Sequence, residues 1–146
     1  NLAIASTIAI TILFGAAAID HFDDPLLWLV AASAMSLTTA REIIMDTNDQ
    51  FGDFNRNTLP KVLGNEKARK TVWILAVAST LLITLPFTLG YLPQNLIVFV
   101  LPSVISSIAV KPFLKQGKDN EAGHILRVAM IFGLLGLALC GMIINY

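Results

Sequence analysis

Cysteine is nearly absent from this chain: Cys140 is the only one among 146 residues. A lone thiol closes no internal disulfide and builds no zinc cluster, which removes the disulfide scaffolds and the zinc-binding domains. Charge is also scarce, at 14% of residues, where soluble domains carry about a quarter. Ten Lys and Arg balance ten Asp and Glu, for a formal net charge of zero. No global basic field exists to attract a polyanion, so nucleic acid is not an expected partner. A strict two-residue alternation is missing too, which argues against a membrane β-barrel. What the chain has in abundance is apolar surface: 55% hydrophobic residues and a mean hydropathy of +0.72. That is too apolar for disorder, and more than a soluble fold of this length can bury.

The expected architecture is therefore an all-α, polytopic transmembrane bundle, read as a single transmembrane domain over residues 1–146. At roughly 20 residues per span, this length holds about five. We place spans at about 2–18, 25–45, 70–89, 95–113 and 123–144. Asp24-Pro25 reads as an N-cap followed by a first-turn proline that opens the second span. Gly90 stands where a C-terminal glycine would end the third. Pro86 and Pro102 fall inside spans, where neighbouring helices tolerate a kink. Ala129, Gly133, Gly136 and Gly141 form a row of small residues suited to close helix packing. No basic stretch precedes the apolar run at Leu2, so a signal peptide is not expected. The chain is instead expected to begin within a larger membrane protein.

In a five-span serpentine all ten basic residues fall on one side. Arg41, Arg56, Lys61, Lys67, Arg69 and Lys70 flank the second connection, and Lys111, Lys115, Lys118 and Arg127 flank the fourth. The opposite connections, Asp20 to Asp24 and Tyr91 to Gln94, hold none. The positive-inside rule makes the basic side cytoplasmic. Trp28 and Trp73 lie near span ends, as interfacial aromatics do. Cys140 reads as a packing residue near the outer end of the last span.

The long polar stretch, residues 45–68, carries Asp46, Asp49 and Asp53 at a D-x-x-D-x-x-x-D spacing. If the second helix continues through it, positions i, i+3 and i+7 share a face. Three converging carboxylates repel one another and call for a cation, and hard oxygen donors favour Mg²⁺ or Ca²⁺. Mg²⁺ takes one or two carboxylates and completes its shell with water and phosphate, which suits a magnesium–diphosphate complex at a membrane surface. The competing reading is an acidic interfacial loop whose charges are simply solvated. An EF-hand is excluded, because Phe51 and Asn57 stand where glycine and glutamate are needed.

The run Arg41-Glu42-Ile43-Ile44, then Asp46-x-x-Asp49-x-x-Gly52-Asp53, then Thr58-Leu59-Pro60 and Gly64, resembles the second aspartate motif of the UbiA superfamily of intramembrane prenyltransferases. The motif resemblance is specific over about residues 41–68, and in hydropathy it covers the whole chain. Within the superfamily the wording is most similar to digeranylgeranylglyceryl phosphate synthase-type members. Family members have nine transmembrane helices and two aspartate motifs, the second following the sixth helix. The resemblance thus implies that this chain matches helices five to nine. The first motif, N/D-D-x-x-D-x-x-x-D, has no match here. Asp20-x-x-Asp23 comes nearest, but it lies on the opposite side and Leu27 occupies its next acidic position. A missing N-terminal half with that motif is the implied partner. Asn57 is a departure, since a lysine often precedes Thr-Leu-Pro in relatives.

The resemblance implies magnesium-dependent transfer of a polyprenyl group from its diphosphate to a lipophilic acceptor. That acceptor is expected to be geranylgeranylglyceryl phosphate in membrane lipid synthesis. The alternative within the family is an aromatic acceptor of quinone, tocopherol or chlorophyll synthesis. Asp46, Asp49 and Asp53 are the expected catalytic metal ligands, and Arg41 and Lys61 are candidates to meet the diphosphate. For Lys61 the plainer role of a basic interfacial anchor is preferred. Ser33, Ser36, Thr38 and Thr39 are expected to join helices, with any inward-facing member free to meet the acceptor. A reading of another class is a non-catalytic multipass subunit or half-transporter with an acidic loop.

Overall fold

The computed structural model describes residues 2–49 and 58–144. Among these residues the secondary structure is entirely helical. Helix α1 is Leu2–Ala18, α2 is Pro25–Asn48, α3 is the short Leu59–Leu63 and α4 is Asn65–Thr88. A 3-10 segment, Gln94–Phe99, leads into α5 (Leu101–Ala109), α6 (Lys111–Gln116) and α7 (Asp119–Ile144). Helices α2, α4 and α7 are long and apolar enough to cross a membrane, and α1 is a shorter apolar helix.

Local chemistry sets the helix ends. The Asp24 carboxylate accepts the Leu26 N–H at 2.9 Å, and Pro25 occupies the first turn, where its missing N–H costs nothing. Helix α4 carries Pro86 in its last turn and closes at Leu89, with Gly90 immediately beyond at φ +83°. That backbone conformation is open to glycine and strained for other residues.

The fourth span departs from the expected single helix over 95–113. It is divided into the 3-10 segment, α5 and α6. The physical reason is proline spacing: Pro102 and Pro112 each sit in the first turn of a new helix. A proline lacks the N–H that would continue the preceding helix and crowds the carbonyl four residues back. Helices stand over the other four expected segments, though α2 runs on to Asn48, α4 begins at Asn65 and α7 at Asp119; of these four, α2, α4 and α7 reach membrane-crossing length.

Two apolar clusters hold the bundle. At one pole Ile43, Ile44, Val72, Val110, Leu114 and Leu126 pack the end of α2 against the starts of α4 and α7 and against α6. At the other pole Ile83, Phe87, Leu92, Leu96, Val100 and Cys140 join α4, the 3-10 segment and α7. The first pole therefore gathers the elements that carry most of the described basic residues, with Lys61 on α3 and Lys118 just before α7 as the others. Hydroxyls supply the polar joints between helices. Ser33 Oγ and Ser79 Oγ each lie 3.0 Å from the other's backbone carbonyl, and Ser36 Oγ donates to Leu75 O at 2.9 Å. Each such joint adds about 0.6 kcal/mol within a bilayer.

The small residues of α7 do different work. Ala129, Gly133 and Gly136 are buried against neighbours, and a Cβ on Gly136 would collide with the Phe99 carbonyl. Nothing lies within 4 Å of a Cβ on Gly141. Gly136→Ala is therefore expected to destabilise the bundle by about 1–3 kcal/mol through overpacking. Gly141→Ala is expected to be neutral or slightly stabilising, because alanine is the better helix former. Thermal unfolding of the two variants in one detergent checks the contrast, and equal losses would refute it.

Candidate functional site

Helix α2 carries the acidic motif to its own end. Asp46 lies in the last helical turn and is half-buried, and Asp49 is the exposed C-cap residue, with its N–H donating to Met45 O at 2.9 Å. The two sit three residues apart and face the same way on a helical turn. The last turn of α2 contains no basic side chain. The carboxylates thus stand at the negative end of the helix dipole, where anions are disfavoured and a cation is favoured. Asn48 Nδ2 donates to Asp49 Oδ1 at 3.2 Å. Asp53 lies outside the described residues, and with it the expected continuation of the helix face. Among the described residues no three His, Cys, Asp or Glu side chains are grouped to hold a metal ion.

Chain geometry brings the other candidates to the same pole. Thr58 opens α3, Pro60 is buried, and α3 packs on both α2 and α4. Lys61 is exposed on this short helix. Arg41 is half-buried on α2 and pairs with Glu42, Nη1 to Oε1 at 2.7 Å. Its charge is therefore already shared with a neighbouring carboxylate.

A feature that sequence reading missed ties this pole together. Arg69 on α4 grips Asp119 at the start of α7 with two hydrogen bonds, Nε to Oδ1 at 2.7 Å and Nη2 to Oδ2 at 2.6 Å. The bidentate fork is the strongest geometry for this pair. Asp119 also occupies the first turn of α7, where the helix dipole favours an anion. The partners are 50 residues apart, so no local pattern announces them.

On the side of α2 nearer its start, a cavity of about 500 Å³ opens among α1, α2, α4, α5 and α7. Its wall is largely aliphatic, with Ile8, Leu37, Ile83 and Leu137 among the lining residues. Thr38 lies eight residues before Asp46, roughly 12 Å along the helix axis. The cavity therefore begins about two turns from the acidic end of α2.

Four of the five hydroxyl residues on α2, those at 33, 36, 38 and 39, divide by role. Ser33 and Ser36 join α4, and Thr39 turns back to Met35 O at 2.8 Å. Thr38 also lines the cavity, is 2% exposed, and its Oγ1 has no hydrogen-bond partner among the described residues. An unpaired buried hydroxyl carries a cost of about 1–3 kcal/mol. The shape-matched Thr38→Val is therefore expected to hold or raise the melting temperature. A lower value would mean that the hydroxyl has a partner in the folded protein.

The chain is similar to known proteins over most of its length. The profile of the UbiA prenyltransferase family matches residues 1–134. The digeranylgeranylglyceryl phosphate synthase of Saccharolobus solfataricus is 32% identical over 147 aligned positions, covering 95% of this chain and 51% of that protein. The synthase of the same name from Methanopyrus kandleri is 29% identical over 139 positions, covering 92% of this chain and 51% of its own length. That of Halobacterium salinarum is 32% identical over 119 positions, covering 80% and 41%. No solved structure matches the chain. The chain spans about half the length of the curated relatives it matches. With apolar helices long enough to cross a bilayer and a family match over most of its residues, this chain is an integral membrane protein that belongs to the UbiA prenyltransferase family.

Proposed function

We propose that the protein transfers a polyprenyl group from its diphosphate to a lipid acceptor, geranylgeranylglyceryl phosphate, in membrane lipid synthesis. The observation that carries this reading is the acidic end of α2 standing two turns from an aliphatic cavity. A prenyl diphosphate has the same division, a highly charged head joined to an apolar tail. The names of the matched relatives support the acceptor class.

In this reading Asp46, Asp49 and Asp53 hold magnesium, together with a first aspartate motif supplied from outside these residues. The donor set fits the ion: hard carboxylate oxygens, few in number, leaving positions for water and phosphate. When bound, magnesium supplies positive charge that stabilises the departing diphosphate. Arg41 and Lys61 contribute charge to the same end. The chain's own task is to hold the isoprenoid in the cavity and keep water from the allylic carbon as positive charge develops there. The carbon–oxygen bond to diphosphate breaks, a new one forms to the acceptor hydroxyl, and the hydroxyl proton is released. By the positive-inside rule this pole faces the cytoplasm.

The test uses the full-length protein in detergent with labelled geranylgeranyl diphosphate and magnesium. Geranylgeranylglyceryl phosphate, homogentisate and dihydroxynaphthoate are offered in parallel. Labelled diether product from the glycerophosphate lipid is expected. Turnover of an aromatic acceptor alone would replace the acceptor assignment. Absence of transfer to all three would return the protein to a non-catalytic role.

A further inference from the structure

A second charged feature lies on this pole, away from the α2 carboxylates. A cleft of about 430 Å³ runs between α4 and α6, lined by Glu66, Arg69, Lys70, Trp73, Lys111 and Lys115 over a floor that includes Leu114. No residue of α2 or α3 lines it. Arg69 does not offer free charge here, because its fork is closed on Asp119. Three lysines remain against one glutamate. Lys70 and Lys115 are exposed, and no ion pair joins Lys70, Lys111 or Lys115 to a carboxylate among the described residues. Lys111 is held in place: its Nζ stands 4.7 Å from the centre of the Trp73 ring. A cation over an indole face keeps its N–H groups available while the side chain is oriented.

We propose that this cleft binds the phosphate headgroup of an anionic lipid. Three observations converge on that chemistry. The lysines give a local excess of positive charge in a chain that is neutral overall. The cleft sits beside the first turns of α4, a membrane-length helix, which is headgroup depth for a helix that crosses a bilayer. Its Trp73 wall, over the Leu114 floor, offers an apolar surface to the glycerol backbone and the first acyl carbons, as interfacial tryptophan does. Basic pockets between helices at the membrane surface take phosphate headgroups by this combination. The site needs a bilayer but not the transfer reaction, so each proposal stands or falls alone.

The full-length protein in neutral detergent is titrated with phosphatidylglycerol and, separately, phosphatidylcholine, and bound lipid is counted by native mass spectrometry. Preferential binding of phosphatidylglycerol is expected. The combined Lys70→Gln, Lys111→Gln and Lys115→Gln variant is expected to lose at least about tenfold of that affinity, each lysine near the surface being worth up to about fivefold. Phosphatidylcholine binding should not move. Glu66→Gln removes the one acid of the lining and is expected to raise phosphatidylglycerol affinity, an effect that a merely weakened fold would not produce. Lys67→Gln, on the same helix but outside the cleft, is expected to change nothing. Displacement by inorganic phosphate at constant ionic strength would assign recognition to the phosphate group, and resistance would assign it to the whole lipid; both support the site. Equal affinity for the two lipids, a triple variant that keeps its preference, or an equal loss on Lys67→Gln would overturn it.

Discussion

Asp49→Ala in the full-length protein is expected to reduce prenyl transfer at least about a hundredfold, the scale of losing one positioned electrostatic contribution to a departing anion. Asp49 is the C-cap of α2, so its side chain is not needed to hold the helix; the cap bond to Met45 O comes from its backbone N–H. Melting temperature should therefore stay close to that of the unmodified protein while turnover falls. Asp53→Ala is expected to lower turnover on the same scale. Excess chelator should remove the activity, and added Mg²⁺ should restore it in the unmodified protein but only weakly in either variant. Unchanged turnover in Asp49→Ala, at matched protein and magnesium, would sink the metal assignment.

The second large effect concerns stability. Arg69→Ala leaves Asp119 at 10% side-chain exposure without its bidentate partner. Stranding one member of a buried ion pair costs about 3–5 kcal/mol. Arg69 is itself 27% exposed, so water screens part of that loss and about 2–3 kcal/mol is the expected value. On the scale of a domain of this size or larger, that is a fall of about 5–10 °C in melting temperature. The double variant Arg69→Met with Asp119→Leu is expected to recover most of it, since replacing both partners by apolar groups removes the stranded charge. Arg69→Lys should recover little, because an ammonium cannot reproduce the two-pronged contact. A double variant as unstable as Arg69→Ala would show that the helices depend on more than this pairing.

The parts of the fold that were legible in advance depend on neighbours in sequence. The Asp24-Pro25 start of α2 and the Gly90 position after α4 are matters of a few consecutive residues, and both stand where expected. The all-helical character follows from composition and the lack of alternation. The broken fourth span was half legible. Pro102 alone reads as a tolerable kink, but its spacing from Pro112 puts a helix start at each, and ten residues are too few for one continuous span between them. The roles of Ser33, Ser36, Thr38 and Thr39 were not separable beforehand, because the answer depends on which carbonyl of α4 lies opposite each hydroxyl. Arg69–Asp119 was invisible for the same reason: each residue alone looks like an ordinary interfacial charge. Of the acidic motif, Asp46 and Asp49 are placed on α2, and Asp53 falls outside the described residues.

The serine joint between α2 and α4 bears on the order in which the protein assembles. Its partners, Ser33 and Ser79, belong to membrane-length helices that follow one another in the chain and need nothing from later residues to meet. Once both helices have left the insertion machinery, the reciprocal hydroxyl–carbonyl bonds can set their register in the lipid. Helix α7 emerges after both, and its small-residue face then closes against a pair that is already aligned. Synthesis from N- to C-terminus thus builds the acidic end of α2 before the Arg69–Asp119 clamp can form, which makes that clamp a later fastening of α7 onto helices already in place.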